Sequence, residues 1–550
     1  MIKLKCIFII IIILASTRTA MALDIQYGSI RDYKNSSVLI EYYGLGKKTN
    51  YICNILNSKC IPTKKMNLGI KNNISTAINP SIIKEMEDKK ANRLTISKSG
   101  GWIAYYIKAD GKNNERTYTI KNIKDNKNYT TSSSVTYWDL VNEQMKVFEF
   151  SPDEKTLIYL DDKDGFASIY KVNLDSLQNE KIESIKIRSE ALNISDFIYT
   201  DPDNLYYVGN SKENPYKWSL YHMDLRTEKE SVIESYVSYL DRIIKINNSL
   251  VFNRLQSKGY GPEAYNLKTK KINTFKIPNI STKINTKSEQ YIKIDDMNAV
   301  VMTPSVYNPK KTYKALIWLH GGPLRQASYI YHPYHSYGIY DSMLKLLQKN
   351  NVIVLKLDYR GSLGSGRNYS EKIKGSVGSG DIEDVMKTVS YLKNNYNVGD
   401  IYLSGNSYGG YMSLKALVEH PETFKGVFSM NGVTDWESLL KAMKTSIFNT
   451  EFGGAPSTIN QDLYNQASII NKIGNLGNQR IEIIQGGSDR TIPPWQSVLL
   501  YKKLKEAGKN VNLVTYSKED HVFKEKKNIG DICSRLLKSV GIKNTKECKN

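Results

Sequence analysis

The chain has 550 residues, 40% hydrophobic and 24% charged, which excludes a disordered chain. It is also too long for one core, since single cores stop growing at roughly 250–300 residues. The formal net charge is +22, but the lysines are spread out and no nucleic-acid motif accompanies them, so the charge reads as a solvated basic surface and no nucleic-acid partner is expected.

Met1 to Lys5 carries two lysines, Cys6 to Ala15 is an unbroken apolar run, and a polar stretch ends in Ala20-Met21-Ala22. This is the order of a secretory signal peptide with an A-x-A cleavage site, expected over residues 1–22. A run of about ten residues is shorter than the roughly 20 that a bilayer span requires. An uncleaved anchor is the rival reading. The expectation is an exported protein, periplasmic or secreted, with no stable membrane span after cleavage.

Four cysteines remain: Cys53, Cys60, Cys533 and Cys548. Export and an even count favour disulfides, and of the three connectivities Cys53–Cys60 with Cys533–Cys548 closes the smallest loops. Buried free thiols are the alternative. No Cys-x-x-Cys or histidine-rich cluster is present, so no metal site is expected.

From about Leu23 to residue 287, short strand-like runs alternate with turn residues. Trp102–Ile107, Leu157–Leu160, Leu205–Val208 and Leu250–Phe252 are such runs. The first three follow Ser97-Lys-Ser-Gly-Gly101, Ser151-Pro-Asp-Glu-Lys155 and Asp201-Pro-Asp-Asn204. A second element recurs at Ser168–Leu174 and Ser219–Leu225. Repeated antiparallel sheets of this kind suit a β-propeller, with six or seven blades fitting the length and a β-sandwich as runner-up. The 39 tyrosines against 12 phenylalanines suggest half-buried strand surface.

Over residues 288–550 the pattern becomes alternating strands and helices, the signature of a mostly parallel sheet with helices on both faces. Strands are predicted at Ala315–Leu319, Val352–Leu357, Ile401–Leu403, Val427–Met430, Ile481–Ile484 and Val511–Tyr516. Helical stripes are Met343, Leu346 and Leu347; Ile382, Val385, Met386 and Val389 behind Asp381 as N-cap; and Val498, Tyr501 and Leu504 ending at Gly508.

Gly405-Asn406-Ser407-Tyr408-Gly409 lies between a predicted strand and a helix, the context of a nucleophile elbow in an α/β-hydrolase. A serine hydroxyl needs a base, and in this fold the order is Ser, acid, His. Of the six histidines, only His521 follows both Ser407 and a suitable acid. Asp489, in the exit loop of strand Ile481–Ile484, is the preferred acid over Asp435 and Asp462, and Asp520 reads as a surface carboxylate. His320-Gly321-Gly322-Pro323 matches an HGG-type oxyanion loop, so the backbone N–H groups of Tyr408 and of Gly322, or of Gly321, are the expected donors.

The elbow through Tyr411, His320-Gly-Gly-Pro323, Asp358-Tyr-Arg-Gly-Ser362 with Gly364 and Gly366, and Asp489-Arg-Thr-Ile-Pro493 together resemble the prolyl oligopeptidase family, in its acylaminoacyl-peptidase and dipeptidyl-peptidase branch. The resemblance implies Ser407, Asp489 and His521 as catalytic residues. It also implies a propeller that limits access to short peptides, and no cofactor. His320 stands where prolyl-specific members carry a tyrosine that donates to the oxyanion, which implies backbone donors here. Val433 and Trp436 resemble positions that line the pocket for the residue at the cleavage site. The family often has His at the position of Gln485 and Trp at that of Val377, so this chain departs from the pattern there. No paired-glutamate motif for gripping a free N-terminus is found, and dipeptidyl cleavage is not implied.

The expected function is a serine peptidase acting on short peptides through an acyl-enzyme. A carboxylesterase with the same triad and a non-catalytic envelope protein binding peptides or partners are the alternatives. Homo-oligomerisation is left open.

Overall fold

The recurrent turn-and-strand segments of the first half pair with their neighbours in sequence. In the computed structural model the described residues are 26–548 apart from 35–36, 45–46, 56–58, 65–79, 109–115, 134–145, 237–239, 257–258, 276–287, 333–334, 444–447 and 471. The expected signal segment and the boundary expected at 287 lie outside the described residues. Trp102–Lys108, Thr156–Asp161, Asn204–Asn210 and Ser249–Gln256 are each the second strand of a four-stranded antiparallel group. Ser168–Asn173 and Trp218–Asp224 are third strands of two of these groups.

Among the described residues there are five such groups, not the six or seven that length suggested. Three are separate sheets. The first and last in sequence share an eight-stranded sheet, joined where Gln26 and Tyr27 pair in parallel with Gly259 and Tyr260. Many tyrosines here are fully buried rather than half-buried. Their hydroxyls find partners: Tyr118 donates to the Leu160 carbonyl at 3.1 Å and Tyr170 to Asp164 at 2.6 Å. That satisfies the polar tip inside an apolar core.

The second half forms one eight-stranded sheet. Its strands are β1 (Glu289–Ile294), β2 (Met297–Met302), β3 (Tyr313–Leu319), β4 (Val352–Asp358), β5 (Val398–Asn406), β6 (Gly426–Met430), β7 (Arg480–Gly486) and β8 (Val511–Tyr516). The spatial order is β1-β2-β4-β3-β5-β6-β7-β8. β2 runs antiparallel to β1 and β4, and the remaining pairings are parallel. β4 is buried at every residue, as a strand covered on both faces must be.

Helices α1 (His335–Lys349) and α6 (Lys526–Ser539) cover one face. Helices α2 (Gly380–Asn395), α3 (Tyr408–Glu419), α4 (Trp436–Met443) and α5 (Trp495–Glu506) cover the other. Two local expectations need correction. The N-cap of α2 is Ser379, and Asp381 lies inside the first turn with its side chain turned inward. On α5 the buried stripe is Gln496, Ser497, Leu500 and Leu504, with Val498 and Tyr501 only partly covered. Gly508 does follow the α5 C-cap in the left-handed region, at φ 68°.

The propeller meets the hydrolase domain over the ends of its parallel strands. Tyr216 donates to the buried Asp358 carboxylate at 2.6 Å, the Asn193 amide donates to the Gly364 carbonyl at 3.1 Å, and Arg367 pairs with Asp162. Among the described residues no helix is long and apolar enough to cross a membrane.

Both expected disulfides are formed, Cys53–Cys60 within a hairpin and Cys533–Cys548 between α6 and the last turn. The second closes 15 residues of sequence, a loop whose closure is worth about 3 kcal/mol. Replacing Cys533 and Cys548 together by serine is therefore expected to lower the unfolding midpoint of the hydrolase domain by several degrees in calorimetry.

Candidate active site

The register of the sheet brings the site together. Leu319 of β3 pairs with Gly405 of β5, and Asn406 pairs with Met430 of β6. The loops leaving β3, β5 and β6 therefore start side by side at one edge, where open α/β sheets place their ligands.

Ser407 alone makes the turn from β5 to α3, at φ 58° and ψ −121°. A non-glycine residue held there stores roughly 1–3 kcal/mol of strain, and such residues cluster at functional sites. Its neighbours must be small. A Cβ on Gly409 would collide with the Leu319 carbonyl, and one on Gly405 would collide with Gly409. The turn is held by the Ser407 N–H, which donates to the Met430 carbonyl at 2.8 Å.

His521 lies in the loop between β8 and α6. Its Nδ1 is 2.7 Å from Asp489 Oδ2, with the imidazole 20% and the carboxylate 0% exposed. The other carboxylate oxygen, Oδ1, accepts from the N–H groups of Thr491 and Ile492, both at 2.8 Å. Asp489 is thus fixed in rotation and aimed at the ring. The rival acid, Asp435, accepts from Ser438 instead and caps α4. Asp520 is exposed and accepts from its own neighbour's N–H, as expected of a surface carboxylate.

Several residues that hold these groups were not read from the sequence. Asn431, at φ 47°, donates to the His521 carbonyl at 2.9 Å and accepts from the Gly486 N–H at 2.8 Å, so it joins the ends of β6 and β7 to the histidine loop. Glu519, 2% exposed, accepts from the N–H groups of Lys524 and Glu525 and from the Asn528 amide, which closes that loop on itself. Gln485 accepts from Ser497 at 2.6 Å and donates to the Ile492 carbonyl at 3.2 Å, anchoring the loop of Asp489. Only an unusual backbone angle or a long-range contact marks such residues, and neither leaves a periodic signal.

Gly321 packs against the elbow: a Cβ built on it would lie 3.1 Å from Ser407 Cβ. His320 is buried behind this loop, stacked on Tyr359 at 4.5 Å and within hydrogen-bond reach of Ser362 at 2.9 Å. Tyr359 donates to the His320 carbonyl at 2.8 Å. Its ring also stacks on Tyr408, 5.8 Å away. The two backbone segments expected to hold an oxyanion are therefore braced against one another.

Val433 and Trp436 are buried, at 1% and 0% exposure, in the core beneath the elbow helix. Trp436 packs edge-on against Tyr411 at 5.1 Å and Phe448 at 4.8 Å. Among the described residues no group of three or more His, Cys, Asp or Glu side chains is disposed to hold a metal ion.

A propeller set on an α/β-hydrolase sheet with a serine elbow defines a class of fold, and comparison with known proteins narrows it. Residues 339–538, which include Ser407, Asp489 and His521, match the prolyl oligopeptidase family, so the C-terminal half carries a domain of that family. The human acylamino-acid-releasing enzyme is 26% identical over 240 residues, covering 42% of this chain and 31% of that protein. A probable dipeptidyl-aminopeptidase B of Talaromyces marneffei is 29% identical over 238 residues, covering 42% and 25%. The chain thus spans about a third or less of these relatives' length. Among solved structures, a puromycin-hydrolyzing peptidase of Mycobacterium tuberculosis superposes with a TM-score of 0.65 at 16% identity, over 94% of this chain and 80% of that one. Porphyromonas gingivalis dipeptidyl peptidase 4 gives 0.64 at 15%, over 93% and 71%. These two likenesses are of fold.

Asp381 accepts from the Tyr408 hydroxyl at 2.6 Å, and burial pushes its carboxyl up to about 7, with nearby Asp384 acting in the same sense. An acid raised on folding contributes most stability below its unfolded pKa near 3.8 and loses it as pH rises through about 7. Asp381→Asn is therefore expected to gain stability relative to wild type between pH 4 and pH 7, by on the order of 1 kcal/mol per pH unit. Thermal unfolding across that range checks this.

Proposed function

We propose that the protein is an exported serine peptidase that hydrolyses short peptides through an acyl-enzyme. Ser407 attacks the carbonyl carbon, and His521 takes the serine proton and later delivers it to the leaving amine. Asp489 holds the imidazole tautomer and stabilises the imidazolium. The backbone N–H groups of Tyr408 and Gly322 receive the oxyanion. The observation that carries this reading is the 2.7 Å contact of His521 Nδ1 with a fully buried carboxylate. It commits Nδ1–H to Asp489 and leaves Nε2 as the base. The strained serine supplies the nucleophile, and the family match covers all three residues.

The scheme uses no metal or cofactor. Residues 23–287 are proposed as the propeller and 288–550 as the peptidase domain. Because Tyr216, Asn193 and Asp162 contact the loops at the strand ends, the propeller is suited to limit entry to short chains. Val433 and Trp436 are proposed as the apolar backing of the pocket for the residue at the cleavage site. Export is supported by the two disulfides, which persist in oxidising compartments.

A fluorophosphonate probe and a defined peptide library test the reading together. Wild type is expected to label and to cleave. Ser407→Ala should lose labelling and at least about 10⁴-fold in peptide turnover with unchanged circular dichroism. Labelling that survives Ser407→Ala would overturn it, and turnover of esters with no peptide turnover would move the substrate class to esters.

A further inference from the structure

The oxyanion loop has a side-chain neighbour that belongs to neither the elbow nor the His320-Gly-Gly-Pro323 motif. A Cβ built on Gly321 would lie 2.8 Å from the Tyr337 hydroxyl oxygen and 3.1 Å from Ser407 Cβ. The phenol of Tyr337, from the first turn of α1, and the serine therefore approach the same point. Its ring is half-buried and packs on His332 at 4.9 Å, which fixes its direction.

Arg325 lies next to this phenol. Its side chain runs along Gly322, with Cγ 3.3 Å from a Cβ built there. Burial raises the Tyr337 hydroxyl above the ordinary tyrosine range, and the nearby positive charge of Arg325 is the largest influence opposing that rise. The phenol is protonated at neutral pH. A guanidinium has donors and no acceptor, so Arg325 can meet only a lone pair of the tyrosine oxygen and cannot take up the hydroxyl proton. Among the described residues no hydrogen bond takes up that proton, and no carboxylate pairs with Arg325. A phenol that accepts from a cation is also a stronger donor through its own proton.

We propose that Tyr337 is a further catalytic residue, donating its hydroxyl hydrogen bond to the oxyanion beside the two backbone N–H groups, with Arg325 as the residue that orients and polarises it. The inference rests on the serine-hydrolase reading above. When Ser407 Oγ bonds to the carbonyl carbon, the C=O π pair moves onto oxygen, and that anion accepts the Tyr337 O–H without proton transfer. On collapse the pair returns, the C–N bond breaks, and His521 delivers the proton to the amine. The donor reaches the site from a helix rather than from the motif position that His320 occupies.

The test is Tyr337→Phe, which removes one oxygen and keeps the ring on His332, beside Arg325→Met. The readouts are kcat and KM on one cleaved peptide, and inhibition by a peptide trifluoromethyl ketone, whose serine adduct carries the oxyanion. Loss of one oxyanion donor costs about 10²–10³-fold in kcat. Tyr337→Phe is expected to lose about 100-fold in kcat with KM within twofold, and to bind the ketone more weakly by a similar factor. Arg325→Met is expected to lose kcat in the same sense but less. Tyr337→Phe within threefold of wild type in both kcat and ketone affinity would overturn the proposal, as would a loss confined to KM or to thermal stability. Wild type inert toward the probe and every peptide would instead overturn the hydrolase reading, so the two failures are distinguishable.

Discussion

The crowding of three backbone segments at one sheet edge is the constraint on which the rest depends. Gly405, Gly409 and the Leu319–Gly321 segment approach so closely that none of the three glycines has room for a side chain. That approach lets a strand turn into a helix through one residue, and it holds the β3 exit loop against the turn. The serine is strained because the packing on both sides leaves it no other path, and the surrounding core over-determines it. The positions of the proposed nucleophile and oxyanion donors are thus set by the register of β3 and β5 before any side chain is considered.

Asp489 and His521, the proposed acid and base, are brought to that edge by separate loops, and each loop is fastened by polar side chains that are themselves buried. Gln485 fixes the loop of Asp489, Glu519 closes the loop of His521, and Asn431 ties the second to the sheet. Such networks hold a geometry only when every member is satisfied, and here each polar atom named has its partner. Behind the His320-Gly-Gly-Pro323 loop, the stack of His320, Tyr359 and Tyr408 and the buried Asp381 carry the same rigidity into the core.

Much of this was legible in the sequence where the determinant is local. The six parallel strands announce themselves as apolar runs, and the elbow and HGG loop as fixed motifs. His521 is identified by order and elimination, and the structure brings it to Asp489. What escaped is non-local. β1 and β2 form an antiparallel edge whose first strand, Glu289–Ile294, mixes charge with apolar residues and gives no clean period. The blade number depends on pairings such as Tyr27 with Tyr260, more than two hundred residues apart. Asp381 looked like a helix cap because a carboxylate before an apolar stripe usually is one, yet a tyrosine hydroxyl from α3 claims it. Tyr337 carried no signal, because only the fold brings a residue of α1 to Gly321.

The proposed chemistry depends on where bonds form and which hydrogens face them. A crystal structure of the protein inactivated by a fluorophosphonate measures this most directly. It should show phosphorus bonded to Ser407 Oγ, the phosphoryl oxygen within about 3 Å of the Tyr408 and Gly322 nitrogens, and His521 bridging adduct and Asp489. Phosphorus on any other residue, or a phosphoryl oxygen turned toward solvent with the imidazole withdrawn, would contradict it.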